Sequence, residues 1–323
     1  MEPLPLYFII NPRSAASRTK KVWEQTLLPL LKTKQIAFDY IYTEKSGHGI
    51  ELARNACLTK KYSTIVAMGG DGTIHEVANG LLTDMGEPID PAIKFGVLCS
   101  GTGSDFIKTI QVPRDPVAAL EIILGGKTQT VDILKGTFTK LDGSGMGQRF
   151  SINIVDSGVS GDIVKRVNES SKILGGKATF LLISAMKMLS HKPYKARLTV
   201  DADPPLETNI NVVYMGNGQY NGGGMHPCAE ASLDDGLMDV FLVQNMNKNQ
   251  LMKKLTKIYG SAETLQQLRA GDPGLNYYKK AKTVKLESLD ESRPMLLDFD
   301  GEIVGLAPLE LKVLSKKIKL IVP

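Results

Sequence analysis

The sequence predicts an α/β protein of two domains, a parallel-sheet domain followed by a strand-rich one, and three observations carry that reading. Through the first third, short apolar runs alternate with helical patterns, as parallel strands covered by helices on both faces require. Beyond Thr130, strand candidates follow one another with few helices between them, the pattern of an antiparallel β-sandwich. A length of 323 residues suits two domains better than one. The boundary falls at 130/131, with an α/β domain over 1–130 and a sandwich over 131–307. The last segment, 308–323, reads as strand that closes the second domain or returns to the first.

In order, Leu4–Ile10 reads as a buried strand that ends in the turn Asn11–Ser14. Val22, Leu27, Leu30 and Leu31 mark a helix that Pro29 is expected to kink or end early. Ile36–Tyr42 is the second strand, Thr43–Gly47 a loop and Ile50–Leu58 a helix. Ser63–Met68 and Ala92–Leu98 are the third and fourth strands. Asp115 caps a helix that Pro116 opens and Gly125-Gly126 stops. The second half offers strands at Thr130–Leu134, Phe150–Val155, Ala196–Val200, Ile210–Met215, Leu237–Val243, Thr283–Leu289 and Met295–Phe299. Helices are expected at Lys177–Leu189 and Lys248–Leu268.

With 42% hydrophobic and 23% charged residues, disorder, collagen and coiled coil are excluded. A net charge of +5 permits an anionic ligand or membrane surface and does not demand nucleic acid. The cysteines, Cys57, Cys99 and Cys228, lie too far apart for a disulfide framework, which points to a reducing compartment, and zinc-ligand spacing is absent. No apolar run is long enough to span a bilayer, and MEPLPLYFII lacks the basic start of a signal peptide. The expected location is the cytoplasm, with membrane contact only peripheral.

The strongest motif is Gly69-Gly70-Asp71-Gly72-Thr73, set between a strand and a helix. Free N–H groups and the positive helix end make an anion site there, and the glycines let backbone approach a phosphate. Thr73 and Glu76 are spaced as a capping box for that helix. A second loop, Cys99 to Phe106, repeats the design with hydroxyls and Asp105. Both loops, together with Asn11–Ser14 and Thr43, end strands on one sheet edge, where ligands of such sheets bind. GxxxxGK[ST], strand-linked GxGxxG and GxSxG are all missing, against P-loop, dehydrogenase and hydrolase readings. Two acidic clusters follow. Asp234-Asp235-Gly236 reads as a solvated turn or a divalent-cation loop. Asp298, Asp300 and Glu302 share a face if the chain stays extended, or flank a hairpin turn at Asp300-Gly301.

Taken in order, NPRS, GGDGTIHEVANGLL, GTGSDF, VDILK, SLDDGLMDV and DGE resemble the diacylglycerol kinase catalytic domain family, in particular bacterial lipid kinases that also resemble sphingosine kinases. GGDGT alone is shared with NAD kinases; the later motifs make the resemblance specific. It implies an N-terminal three-layer α/β domain, a C-terminal β-sandwich and nucleotide held between them. By position it implies that Asn11, Arg13, Ser14, Thr43, Gly69, Gly70, Asp71, Gly72, Thr73, Ile74, His75 and Thr102 contact ATP. Asp71, Asp105 and Asp132 would organise Mg²⁺ and the phosphates. Asp235, with carbonyls of Ser232 and Leu237, would form a structural Mg²⁺ site. Asp300 and Glu302 would be catalytic, with Asp300 favoured as the proton acceptor. His75, Ser104 and Cys99-Ser100 depart from the family pattern, yet every carboxylate is kept.

The resemblance implies an ATP- and Mg²⁺-dependent kinase acting on a lipid hydroxyl, diacylglycerol first among candidates. An NAD kinase-like enzyme and a non-catalytic lipid- or nucleotide-binding regulator are the alternatives. A homodimer is left open. Lys253, Lys254 and Lys257, beside Met246, Leu251, Met252 and Leu255, are a candidate membrane-docking face, against the plainer reading of a solvated helix.

Overall fold

The computed structural model describes residues 5–101, 103–169, 182–184, 186–187, 190–251, 253, 266–267 and 269–323. Thr102, Met252, Lys254, Leu255, Lys257 and most of the helices expected at 177–189 and 248–268 lie outside the described residues. The chain divides into two units, Met1–Asp132 with Ser315–Pro323, and Ile133–Leu314.

The first unit is built on the parallel strands β1 (Leu6–Ile10), β2 (Phe38–Tyr42), β3 (Thr64–Gly69) and β4 (Lys94–Cys99). The end of a last long strand, β14 (Glu302–Ile321), joins them, giving the order β14-β4-β3-β1-β2 with every pairing parallel. β3 is buried along its whole length, as a central strand covered on both faces must be. Helices α3 (His48–Thr59) and α4 (Asp71–Gly80) pack on each other. Helix α6 (Pro116–Gly125) packs against the helical segment after β1 and is capped by Asp115, whose carboxylate accepts the Ala118 N–H at 2.8 Å.

Pro29 does not end its helix. The segment runs as α1 (Arg18–Val22), a π-helical stretch (Trp23–Leu27) and α2 (Leu28–Thr33). Proline lacks an N–H and its ring collides with the carbonyl four residues back, and a widened turn just before it relieves both problems. That turn also seats Trp23, fully buried, against Phe8, Phe38 and Tyr40.

The second unit is antiparallel throughout the pairings that define it. Its strands are β5 (Thr128–Lys140, entering from the first unit), β6 (Met146–Ser151), β7 (Ile154–Gly158), β8 (Tyr194–Val200), β9 (Leu206–Gly216), β10 (Met238–Gln244), β11 (Tyr277–Ala281), β12 (Thr283–Ser288), β13 (Leu296–Phe299) and most of β14. One side runs β11-β10-β9-β7-β13-β14, and β14 then leaves β13 for β12, which pairs with β8 and so returns to β9. The faces so enclosed bury Val155, Leu198, Val213, Val240, Leu286, Leu297, Phe299 and Leu311 in one core. Helix α7 (Val159–Glu169), unforeseen from sequence, lies over a second core with Val159 and Ile163 facing Val212, Tyr214 and Phe241.

The run Phe150–Val155 is two strands and not one. Ile152 and Asn153 break it, because their N–H groups leave the ladder for the Asp300 carboxylate. The terminal runs at 308–314 and 318–322 are one strand, β14, that serves both units. Among the described residues no helix is long and apolar enough to cross a membrane.

Candidate active site

Four strands of the first unit deliver their C-terminal loops to one edge. The ladder bonds extend past the strands: Asn11 N–H reaches Met68 O at 2.9 Å, Thr43 N–H reaches Ile10 O at 2.8 Å and Ser100 N–H reaches Gly69 O at 2.8 Å. Two glycines are required by contact. A Cβ on Gly69 would strike the Thr73 side chain, and one on Gly101 would lie 2.7 Å from Gly70 Cα. The loops are stitched together by Asn11 Nδ2 donating to Thr73 Oγ1 (3.2 Å) and by the Thr19 and Ser100 hydroxyls, 2.5 Å apart. Ala15, Ala16 and Ser17 are all left-handed, with φ of 52°, 54° and 69°. Such strain in non-glycine residues concentrates at ligand sites. Arg13 stays exposed and its N–H caps Asn11 Oδ1 at 3.0 Å.

Helix α4 opens at this edge with Gly70 as N-cap and no side-chain cap. The capping box does not form. Thr73 lies in the third helical position and accepts from Asn11, while Glu76 reaches away to α3 and accepts Gly47 N–H (2.7 Å) and Gly49 N–H (2.9 Å). The loop after β2 is thereby clamped to α4 and the α4 N-terminus is left for another anion.

Asp71 projects toward the other loop. Its Oδ1 accepts Asp105 N–H (3.0 Å) and Phe106 N–H (3.2 Å), capping the short helix α5 (Asp105–Thr109) from outside. Burial, and then the neighbouring Asp105 carboxylate, push Asp71 up to about 6. Asp105 is itself buried and paired with Lys108 Nζ at 2.5 Å. A Cβ on Gly103 would lie 3.1 Å from Asp71 Oδ2 and 3.5 Å from Asp105 Oδ2, so the two carboxylates converge beside this glycine.

Not every residue carried over by position reaches this edge. Ile74 and His75 belong to the core: they are 1% and 0% exposed, and Asn79 Nδ2 donates to the His75 carbonyl at 2.9 Å. No ligand contact is open to their side chains; a helix turns these positions inward. Asp132 is fully buried and its Oδ1 accepts Lys316 N–H at 2.7 Å, which fixes the returning end of β14.

In the second unit Asp300 and Gly301 form the two-residue turn between β13 and β14, both with positive φ (55° and 91°), and Phe299 pairs with Glu302 across it. This is the hairpin alternative, so the three carboxylates do not line one extended face. Asp300 is buried and accepts four bonds: Ser151 Oγ (2.5 Å), Ile152 N–H (3.1 Å), Asn153 N–H (3.1 Å) and Ile154 N–H (3.0 Å). Asp298 is buried too and accepts Gly301 N–H at 2.8 Å. Of the three, only Glu302 keeps appreciable surface.

Behind the turn lies a carboxyl that sequence reading overlooked. Asp156 on β7 is the cross-strand partner of Asp298, fully buried, with Asn221 Nδ2 donating to its Oδ2 at 2.6 Å. Burial pushes Asp156 up to about 7, and burial followed by Asp156 itself pushes Asp298 well above the usual range. The signal was present in sequence: an acidic residue directly after the strand candidate Phe150–Val155.

The Asp235 turn differs from the metal loop implied by position. Asp235 Oδ1 accepts Leu237 N–H (3.0 Å) and Oδ2 accepts Lys280 Nζ (2.7 Å), while Ser232 Oγ donates to Asp234 Oδ1 (3.0 Å). Both oxygens of the Asp235 carboxylate are therefore engaged.

Residues 5–136 match the family model of the diacylglycerol kinase catalytic domain, and 153–322 match that of the YegS C-terminal NAD kinase beta sandwich-like domain. A probable lipid kinase, YegS-like, of Chromohalobacter salexigens is 30% identical over 263 residues, 80% of this chain and 76% of that protein. A diacylglycerol kinase of Bacillus subtilis is 27% identical over 319 residues, 98% and 95% of the two chains. Among solved structures, a diacylglycerol kinase from Bacillus anthracis shares the fold with a TM-score of 0.68 at 18% identity, covering 100% of this chain and 98% of that one. Yeast NADH kinase in complex with NADH shares it more distantly, with a TM-score of 0.50 at 11% identity, covering 99% and 83%. With both of its units matched in order, the chain belongs to the kinase family defined by the diacylglycerol kinase catalytic domain and the YegS-type sandwich.

Proposed function

We propose that this protein transfers the γ-phosphoryl group of ATP to the hydroxyl of a lipid alcohol, diacylglycerol being the leading candidate. The observation that carries the reading is the loop edge at Asp71. There an uncapped helix N-terminus and two converging carboxylates end a parallel sheet. The names borne by the relatives support a lipid acceptor.

In this reading the backbone of Gly70–Gly72 and the first turn of α4 bind the phosphates, and Asn11, Arg13, Ser14 and Thr43 line the same edge. The Asp71–Asp105 pair fits a Mg²⁺ ion by its chemistry, two facing carboxylates of which only Asp105 is paired with a lysine, Lys108. Among the described residues no three acidic, His or Cys side chains converge as a ready metal site, so phosphate and water would complete the shell. The ion would spread charge off the phosphates.

The acceptor oxygen attacks the γ-phosphorus as the bond to ADP breaks, and the hydroxyl proton passes to a carboxylate. Glu302 is the better acceptor, because it keeps surface while Asp300 is held by four donors. Asp300 is then a positioning residue for the turn that presents Glu302. A lipid acceptor brings the protein to a membrane surface by peripheral contact.

The test is incubation of the full chain with ATP, Mg²⁺ and a lipid extract, resolved by mass spectrometry. One lipid class should gain a phosphoryl group, and E302Q should lower that rate by about 10²–10⁴-fold with an unchanged melting temperature. An E302Q variant as fast as wild type removes Glu302 from the mechanism. Phosphorylation of NAD with no lipid product sinks the proposal.

A further inference from the structure

The Asp235 turn sits where the family resemblance implies a structural Mg²⁺ ion, and the side chains there tell a different story. Lys280 on β11 is the Cα partner of Asp239 on β10. That register sends its ammonium to three acceptors: Asp235 Oδ2 at 2.7 Å, the Glu230 carbonyl at 2.9 Å and Asp239 Oδ1 at 3.5 Å. The first two are hydrogen bonds, and the third is an ion pair without one. Asp239 is 1% exposed, with Tyr278 O–H donating to its other oxygen, and Oδ1 has no hydrogen bond among the described residues. A buried carboxylate of this kind needs a counter-charge.

We infer that Lys280 is this chain's built-in replacement for the divalent cation: its ammonium occupies the Asp235 turn and makes the second unit's fold independent of Mg²⁺ at that site. Mg²⁺ needs near-octahedral oxygen ligation and sheds water reluctantly. Here it would compete with a tethered cation for Asp235, whose other oxygen is already taken by the Leu237 N–H. The inference goes beyond the kinase reading and does not depend on the substrate.

The experiment uses the nucleotide-free full chain and two readouts, the melting temperature in EDTA or MgCl₂, and tyrosine-sensitised Tb³⁺ luminescence. In the wild type, any cation effect on either readout should be unchanged by D235N. K280M should melt several degrees lower in EDTA, recover in MgCl₂ and acquire Tb³⁺ emission that K280M/D235N loses. A wild type whose cation binding or stabilisation disappears in D235N overturns the inference, and so does a K280M variant indifferent to Mg²⁺. If K280M fails to accumulate, the comparison of wild type with D235N and with K280R decides. K280R, which keeps the charge, should then melt like wild type in EDTA; a K280R variant that needs Mg²⁺ to do so counts against the inference.

Discussion

Asp71 and Asp300 are acidic residues of two glycine-containing motifs, one in each unit, and they are held in opposite ways. Each turns inward and accepts backbone N–H groups from a neighbouring segment. Asp71 accepts two such bonds, with the Ser104 N–H acting on it as well, and burial followed by the facing Asp105 carboxylate raises its proton affinity. Asp300 has four donors spread over both oxygens. The first is short of positive charge and the second is saturated. A carboxylate kept short of positive charge at a sheet edge is where a ligand must supply it, whereas a saturated one is scaffold. Motif spelling alone does not separate the two cases; the count of donors does.

The largest test of this contrast is D300N. Asparagine tolerates the left-handed φ of 55°, so the substitution isolates the carboxylate. One oxygen becomes an amide, and at least one buried donor from Ser151–Ile154 loses its acceptor or meets another donor. The expected cost is about 2–4 kcal/mol in urea unfolding, together with loss of phosphoryl transfer. A D300N protein as stable as wild type but inactive would return Asp300 to the role of proton acceptor and end the contrast.

D71N should do the reverse. The amide oxygen can still accept from Asp105 and Phe106 N–H, and the repulsion with Asp105 disappears. Stability should therefore stay within about 1 kcal/mol of wild type. Phosphoryl transfer should fall by about 10²-fold or more, because the charge that complements Mg²⁺ and phosphate is gone. Equal turnover, measured on purified protein with saturating ATP, would make Asp71 a mere cap for α5.

Much of this layout was legible in the sequence. The parallel strands of the first unit and the Asp115-Pro116 helix start rest on local signals, namely apolar runs and cap residues, and they lie within a few residues of their expected positions. What stayed hidden is long-range. Glu76 sits three residues after Thr73 as a capping box demands, yet tertiary packing gives it the N–H groups of Gly47 and Gly49. The Phe150–Val155 run is apolar enough for one strand, but a carboxylate some 150 positions away draws its amides out of the ladder. His75 sits in a motif and points into the core, since a motif fixes spacing and the helix fixes direction. The Lys280–Asp239 pairing required knowing that β10 and β11 are neighbours.

The smallest effect concerns the pair behind the Asp300 turn, and it is read through pH. Asp156 faces Asp298 on β13, Tyr214 on β9, Asn221 and Ser160 from neighbouring segments, Asp300 in the turn and the Cys228 thiol. With its value raised from 3.8 to about 7, the folded protein holds a proton that the unfolded chain has released. This group's contribution to stability is therefore complete below the unfolded value and is lost as pH rises through about 7. Each bound proton imposes a slope of about 1.4 kcal/mol per pH unit, shared here with Asp298. D156N removes the titrating group while keeping an acceptor for Asn221. Thermal melts of wild type and D156N should thus lie closest below about pH 4 and diverge from there to about pH 7, beyond which the gap stays constant with D156N the more stable. Parallel curves would mean that Asp156 is ionised in the folded protein across this range, and that the acid pair behind the turn is as fully satisfied as Asp300 itself.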